Sequence, residues 1–300
     1  MNIRYSKALS VPRQVIKRAF SAIYPIIIRI FPLPKVLSIE ETLRVLNEKK
    51  HSIARFGDSE FLYIIDKLNL PYQRYNEELA TKLKAILNSN EPNIMVGLPI
   101  GYHSIDNLSK RSTRFWRAQI SWIYPRLRKH LDLKKTYANA SMTRLYIGFE
   151  DKSESGKWFE MVRKLWDQRD ILLIEGEKSR LGSGNSLFEN ATSVKRILGP
   201  AHNSFERYEQ ILEEAKEYST SHIVLVAMGP TAKPIAFELG LLGYQAVDIG
   251  NLDIEYEWYL RGATSKILIP GKYTSEAAGG RVVEDSNDED YKSQIVASFL

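Results

Sequence analysis

Apolar and polar residues along this 300-residue chain follow two periods, and the switching between them predicts its elements. Val11, Val15, Ala19, Ala22, Ile23, Ile26, Ile27 and Ile30 fall along one helical stripe, with Arg13, Lys17 and Arg18 largely off it. Pro25 and Arg29 interrupt that run, which is too short and too charged for a spanning helix. Pro32 and Pro34 end the arm, and Ser38-Ile39-Glu40-Glu41 has the capping-box spacing of a helix through about Lys49. A strand at 52–56 runs into Gly57 and a short helix with Phe61, Ile64 and Ile65. Helices are expected at 76–88, 112–131 and 155–167, and strands at Asn93–Pro99 and near 143–149.

The second half alternates more regularly. Ile171–Ile174 is apolar throughout, as in a strand buried on both faces of a parallel sheet. Helices are expected at 186–198, 204–217 and about Ala232–Leu242, and strands at His222–Met228, Gln245–Ile249 and Lys266–Ile269. This order predicts an α/β fold, a doubly wound, mostly parallel sheet with helices on both faces. Three units follow: a basic amphipathic helical arm (1–37), a central domain (38–275) and an acidic, loosely ordered tail (276–300) carrying Glu284, Asp285, Asp288, Glu289 and Asp290.

Composition changes this picture in two places. The absence of cysteine excludes disulfides, thiolate zinc sites and cysteine nucleophiles, and suits the cytosol. The net charge of +6 suggests nucleic acid until it is located. Residues 1–39 hold seven Lys/Arg and no acid; removing those seven from the forty-two leaves thirty-five against thirty-six Asp/Glu. A near-neutral body argues against a nucleic-acid face. The arm, residues 1–34, reads either as a segment lying on an anionic membrane surface, which would place the protein at the inner face of the cell membrane, or as a helix packed on the body or another subunit. No small-residue cleavage site marks it as a signal peptide. In 112–131, aromatic residues interleaved with arginines at helical spacing read as a core face with a solvated basic rim.

Candidate chemistry gathers where the loops leave the strands, since ligands of open parallel sheets bind outside the carboxyl ends. Asp58 and Glu60 follow a strand and Gly57; in extended backbone residues two apart share a side and a cation. In a helix starting at Gly57 the pair would flank the first turn beside the strand end, and the plainer reading makes Asp58 or Ser59 an ordinary cap. Glu177–Asn185 carries Lys178, Arg180, Gly182 and Gly184 before a helix that Ser186 would cap, an entry that favours phosphate. It matches neither G-x-G-x-x-G nor the P-loop. Gly229–Lys233 repeats the theme with Thr231 as the N-cap, and Asp248–Trp258 brings four acids to another strand end. The five histidines lack metal spacing, Ser183 lacks a nucleophile-elbow context, and nothing suggests haem, flavin or pyridoxal phosphate.

Arg55-Phe56-Gly57-Asp58-Ser59-Glu60, then Ile174–Gly182, then Leu252–Trp258, in that order, resemble the GT-D-type glycosyltransferases. These are bacterial sugar transferases with a Rossmann-like fold and an Asp-x-Glu motif. The resemblance spans roughly 38–275 and leaves out the arm. It implies hexose transfer from a nucleotide sugar, UDP-linked, to a lipid- or protein-linked glycan acceptor in surface polysaccharide or glycoprotein synthesis, with Mn²⁺ or Mg²⁺. Asp58 and Glu60 would hold the metal, which offsets charge on a diphosphate leaving group. Arg55, Gly57, Lys178, Arg180, Gly182, Gly184 and Thr231 are the candidates for the donor, and Asp253, Glu255 and Glu177 for the base. The alternative is a non-catalytic, membrane-associated component that binds the nucleotide sugar.

Overall fold

The computed structural model describes residues 10–300, with side chains from residue 14. Its nine strands are β1 (Lys35–Val36), β2 (Ser52–Arg55), β3 (Ile94–Leu98), β4 (Thr136–Asn139), β5 (Asp170–Gly176), β6 (Ser193–Gly199), β7 (Ile223–Ala227), β8 (Gln245–Asp248) and β9 (Ile295–Ser298). They form one sheet in the order β1-β4-β3-β2-β8-β7-β5-β6-β9, and every pairing between them is parallel.

Side-chain alternation divides the core between the two faces. Ala54, Leu172, Ile174, Val224, Val226 and Ala246 point into one cluster. That cluster is closed by α3 (Asp58–Asp66), α4 (Glu77–Asn88), α5 (Lys110–Leu127), α7 (Tyr208–Lys216) and α8 (Ala232–Leu241). Their neighbours Ile53, Ile171, Leu173, Ile223, Leu225 and Val247 point into the other, closed by α2 (Ile39–Lys49), α6 (Ser155–Arg163) and α9 (Leu252–Leu260). The expected doubly wound architecture is present.

The seam between β2 and β8 is narrow. Their register consists of the single pair Ile53 and Val247, against seven pairs between β5 and β6. Side chains take over the stitching: Ser52 Oγ donates to the Tyr244 carbonyl at 2.8 Å and accepts from the Ala246 amide at 2.8 Å.

Four local expectations change. Residues 143–149 form no strand, because the Glu255 carboxylate accepts the Tyr146 and Ile147 amides at 3.0 Å each and draws the segment into a loop. The helix expected at 186–198 gives way to turns and then β6, whose Val194 and Ile197 suit a strand paired along β5. Residues 266–269 are loop: the Trp258 indole donates to the Ile267 carbonyl, and Ile269 turns back to Thr274. The tail is built in, since α10 (Glu289–Ser293) leads into β9 on the open edge of β6. Arg196, buried, holds it by donating to Gln294 Oε1 at 2.7 Å beneath the Tyr291 ring.

In the arm, α1 (Ser10–Ile30) lies along α5 with Tyr24 buried, and Ile28, Phe31 and Leu33 against the core. The Tyr124 hydroxyl donates to the Pro32 carbonyl. The segment then continues into β1, so residues 35–36 belong to the sheet. Arg4 and Lys7, and the side chains of Val11 and Arg13, lie outside the described residues. Val15, Ile16, Ile23, Ile26 and Ile30 face solvent, as do Phe115 and Trp122 of α5, so the rim of α5 is aromatic as well as basic. Among the described residues, no helix is long and apolar enough to cross a membrane.

Candidate active site

The sheet order reverses at β2 and β8, and the carboxyl ends of these strands carry a buried charged network. Arg55 ends β2 and Asp248 ends β8; Arg55 Nη2 lies 2.9 Å from Asp248 Oδ1, and Nε donates to the Asp248 carbonyl. Arg55 Nη1 donates to the Ala140 carbonyl at 2.8 Å and to the Thr143 hydroxyl, so one side chain ties β2, β8 and the loop after β4. Gly250 turns away at φ +44°, and a Cβ there would lie 2.3 Å from Arg55 Nη2. Arg55 therefore spends its donors within the protein.

Helix α3 begins at Asp58, with Gly57 as N-cap. Glycine has no side chain to cap with, so Glu60 folds back and accepts the Gly57 amide at 3.0 Å; a Cβ on residue 57 would meet Glu60 Oε2 at 2.9 Å. Asp58 and Glu60 thus occupy a helical first turn, about 200° apart around the axis, rather than one side of a strand. Asp58 accepts from the Gln119 amide of α5 at 3.2 Å. Glu60 faces Lys233 of α8, whose Nζ lies 3.1 Å from Glu60 Oε1, 2.9 Å from the Gly229 carbonyl and 3.4 Å from Asp248 Oδ2. Opposite charges alternate from Arg55 through Asp248 and Lys233 to Glu60, which offsets much of the penalty of burying them.

Tyr72 covers this network. Its ring lies over Gly229, where a Cβ would come to 3.0 Å from it. Burial, then the Glu60 charge, push its hydroxyl well above the ordinary tyrosine range. Arg144, from the loop after β4, lies near Tyr72 and pairs with Glu276 at 2.6 Å and, more distantly, Glu255 at 3.8 Å.

The remaining expected residues lie elsewhere or are engaged. The 177–185 loop leaves β5, three strands and so about 14 Å along the sheet from β2, and turns follow it instead of a helix. Its helix-entry argument for phosphate therefore falls away. Lys178 pairs with Asp285, while the buried Arg180 donates to the Gly271 and Glu284 carbonyls. Gly182 and Gly184 have positive φ, and Gly182 packs under the Phe188 ring. Thr231 takes the N-cap position of α8 as expected, but its side chain is buried, accepts from Ser204 at 2.9 Å and makes no cap bond. Asp253, buried, accepts from the Gly182 amide, Asn185 and Lys272 at 2.7–2.9 Å. Glu255 is likewise buried, and burial pushes its carboxyl up against the opposing pull of Arg144 and two amides. Glu177 is the one half-exposed acid of the three.

Lys233 and Asp248 lay within motifs already marked in the sequence, whereas Tyr72, Gln119, Arg144 and Glu276 come from a helix and loops without motif. Among the described residues, no three His, Asp or Glu side chains converge on a metal position. The side chains at Asp58 nonetheless suit a hard cation: the carboxylate is an oxygen ligand, and Gln119, whose Nε2 donates to it, has an unpartnered buried Oε1 that a turn of the amide would present instead. Such a cation needs further oxygens from the substrate.

A family model described as glycosyltransferase GT-D fold matches residues 53–277. The chain is 36% identical over 267 residues to glycosyltransferase GlyD of Streptococcus pneumoniae serotype 4, covering 89% of this chain and 33% of that protein. It is 37% identical over 268 residues to probable glycosyl transferase Gly of Streptococcus gordonii, covering 88% and 39%. The chain thus spans between a third and two fifths of the length of these relatives. A solved structure described as domain of unknown function 1792 with a distinct glycosyltransferase fold superposes with TM-score 0.83 and 34% identity over 95% of this chain and 99% of its own. A new glycosyltransferase (DUF1792) from Streptococcus sanguinis gives 0.83 and 34% over 89% and 100%. The chain belongs to the glycosyltransferase GT-D fold family.

Proposed function

We propose that this protein transfers a hexose from a UDP-linked nucleotide sugar to a glycan acceptor, lipid- or protein-linked, with Mn²⁺ or Mg²⁺. The observation that carries the reading is the Asp-x-Glu pair in the first turn of α3, at the reversal of strand order, in a chain of this family. Asp58, with the Gln119 amide beside it and Glu60 in the same helical turn, would hold the cation, which when bound stabilises the departing diphosphate. Asp253 and Glu255 position the 182–185 and 146–147 loops, which leaves the half-exposed Glu177 as the candidate base, with the acceptor then lying along the strand ends between β2 and β5.

The test is UDP release from a panel of UDP-sugars with Mn²⁺, with and without glycan acceptors. Release that is lost in Asp58→Asn supports the reading. Donor binding without release in any acceptor mixture would instead mark a binding component.

The outward face of α1 supports attachment to an anionic membrane, at its cytoplasmic face. Val15, Ile16, Ile23, Ile26 and Ile30 form an exposed apolar stripe, with Arg18 and Arg29 exposed on the same helix. A second copy docking there would bring like charges together, whereas anionic lipid complements them. Co-sedimentation with phosphatidylglycerol vesicles but not phosphatidylcholine vesicles, abolished by Ile23→Asp/Ile26→Asp, is the expected result. Equal sedimentation of that double variant would overturn it, as would a dimer that the same substitutions dissolve.

A further inference from the structure

Glu276 sits where three donors from three segments converge. Arg144, after β4, approaches its Oε1 to 2.6 Å; Asn251, at the start of α9, donates to Oε1 at 3.3 Å; Lys266 contacts Oε2. These groups are reachable: the side chains of Arg144, Lys266 and Glu276 are 37%, 36% and 25% exposed. The cradle adjoins the carboxyl ends of β2 and β8, because Arg144 follows Thr143, which accepts from Arg55, and Asn251 follows Gly250, which packs against the Arg55 guanidinium. A divalent cation held by Asp58 needs anionic oxygens from the substrate, and Arg144 with Lys266 forms a partly exposed cation pair beyond these strand ends.

The carboxylate that fills the cradle is carried on irregular backbone, not on a helix or strand. Between α9 and α10 the chain has no helix or strand, and Gly271 and Gly279 there adopt positive φ. A guanidinium paired with one carboxylate is well suited to exchange it for phosphate, since both present planar or near-planar oxygen pairs to its fork.

We propose that Glu276 is a stand-in anion: it occupies the site of the donor's diphosphate on Arg144, Lys266 and Asn251, and the diphosphate displaces it on binding. The idea rests on the nucleotide-sugar reading for its substrate. Its own content is narrower, that an anion cradle at these strand ends is closed by a carboxylate of the same chain. A cradle open only a small fraction of the time weakens apparent affinity by that fraction. Glu276→Gln keeps the shape of the side chain and removes the competing charge.

The experiment is calorimetric titration of the full chain with inorganic pyrophosphate, and separately with UDP, in the presence of Mg²⁺. The wild type is compared with Glu276→Gln, Arg144→Gln and Lys266→Gln, each checked for a native thermal transition. The expected result is pyrophosphate binding about tenfold tighter in Glu276→Gln and about tenfold weaker in Arg144→Gln or Lys266→Gln. Equal affinities in wild type and Glu276→Gln would overturn the proposal, as would an Arg144→Gln variant that binds like wild type or pyrophosphate failing to bind Glu276→Gln. Pyrophosphate behaving as expected while UDP fails to bind any variant leaves the stand-in intact and removes the UDP donor instead.

Discussion

Lys233 and Glu60 form a buried ion pair, Nζ to Oε1 at 3.1 Å, that joins the first turn of α8 to the first turn of α3. The lysine is also the cation between Glu60 and Asp248. Lys233→Met should leave two buried carboxylates facing each other and destabilise the protein by about 3–5 kcal/mol in denaturant unfolding. Adding Glu60→Gln to Lys233→Met should recover a large part of that loss. A double variant as unstable as the single would show that the charges are not what the lysine balances.

Asp58→Asn should behave differently. Asp58 is partly exposed and faces a neutral amide, so its loss should change stability by no more than about 0.5 kcal/mol. Metal-dependent UDP release should nonetheless fall by about a hundredfold or more. Full turnover in a normally folded Asp58→Asn protein would remove the cation from this position. Gln119→Leu should weaken the Mn²⁺ dependence while leaving turnover at saturating metal closer to wild type.

Gly250→Ala tests the packing beneath the site. The new Cβ would lie 2.3 Å from Arg55 Nη2, on backbone at φ +44°. Arg55 must then release Asp248 or the turn must open, at about 1–3 kcal/mol measured by thermal or chemical unfolding.

Glu276 gives a pH signature. Burial alone would raise its carboxyl, but Arg144 and Lys266 bring it down to about 2 from an ordinary 4.5. A depressed folded-state value means stability present above about pH 4.5 and lost as pH falls toward 2. Glu276→Gln should flatten the unfolding free energy across that window by about 1–2 kcal/mol, after allowance for its partial exposure. Identical pH profiles would mean that the pair is screened by solvent.

The sheet, its two-sided covering and the strand ends were legible because buried parallel strands such as Ile171–Ile174 have no polar alternation, whatever the rest of the fold does. Local chemistry misled where a distant group intervened. Nothing between 143 and 149 shows that Glu255, more than a hundred residues away, takes two of its amides. Arg196 resembles a surface residue of a helix until the tail arrives to bury it. The Asp58 and Glu60 pair was found from its spacing, but its geometry followed from Gly57: a cap without a side chain recruits Glu60 and turns the two acids apart. Arg144 and Glu276 carried no motif, since their meeting depends on two loops folding over one strand end.

The seam of β2 and β8 has a consequence for motion. A single register pair, the hydroxyl of Ser52 and the bonds of Arg55 to Asp248 substitute there for a full backbone ladder, while β5 and β6 share seven pairs. Amide exchange should accordingly be fastest along this line among the central strands, as the four-strand and five-strand leaves of the sheet part without either one melting. Arg55 spans that line with its guanidinium on Asp248. The residues that would meet the donor thus stand on an internal boundary where the sheet can breathe, and substrate bound across both leaves would act as their clasp.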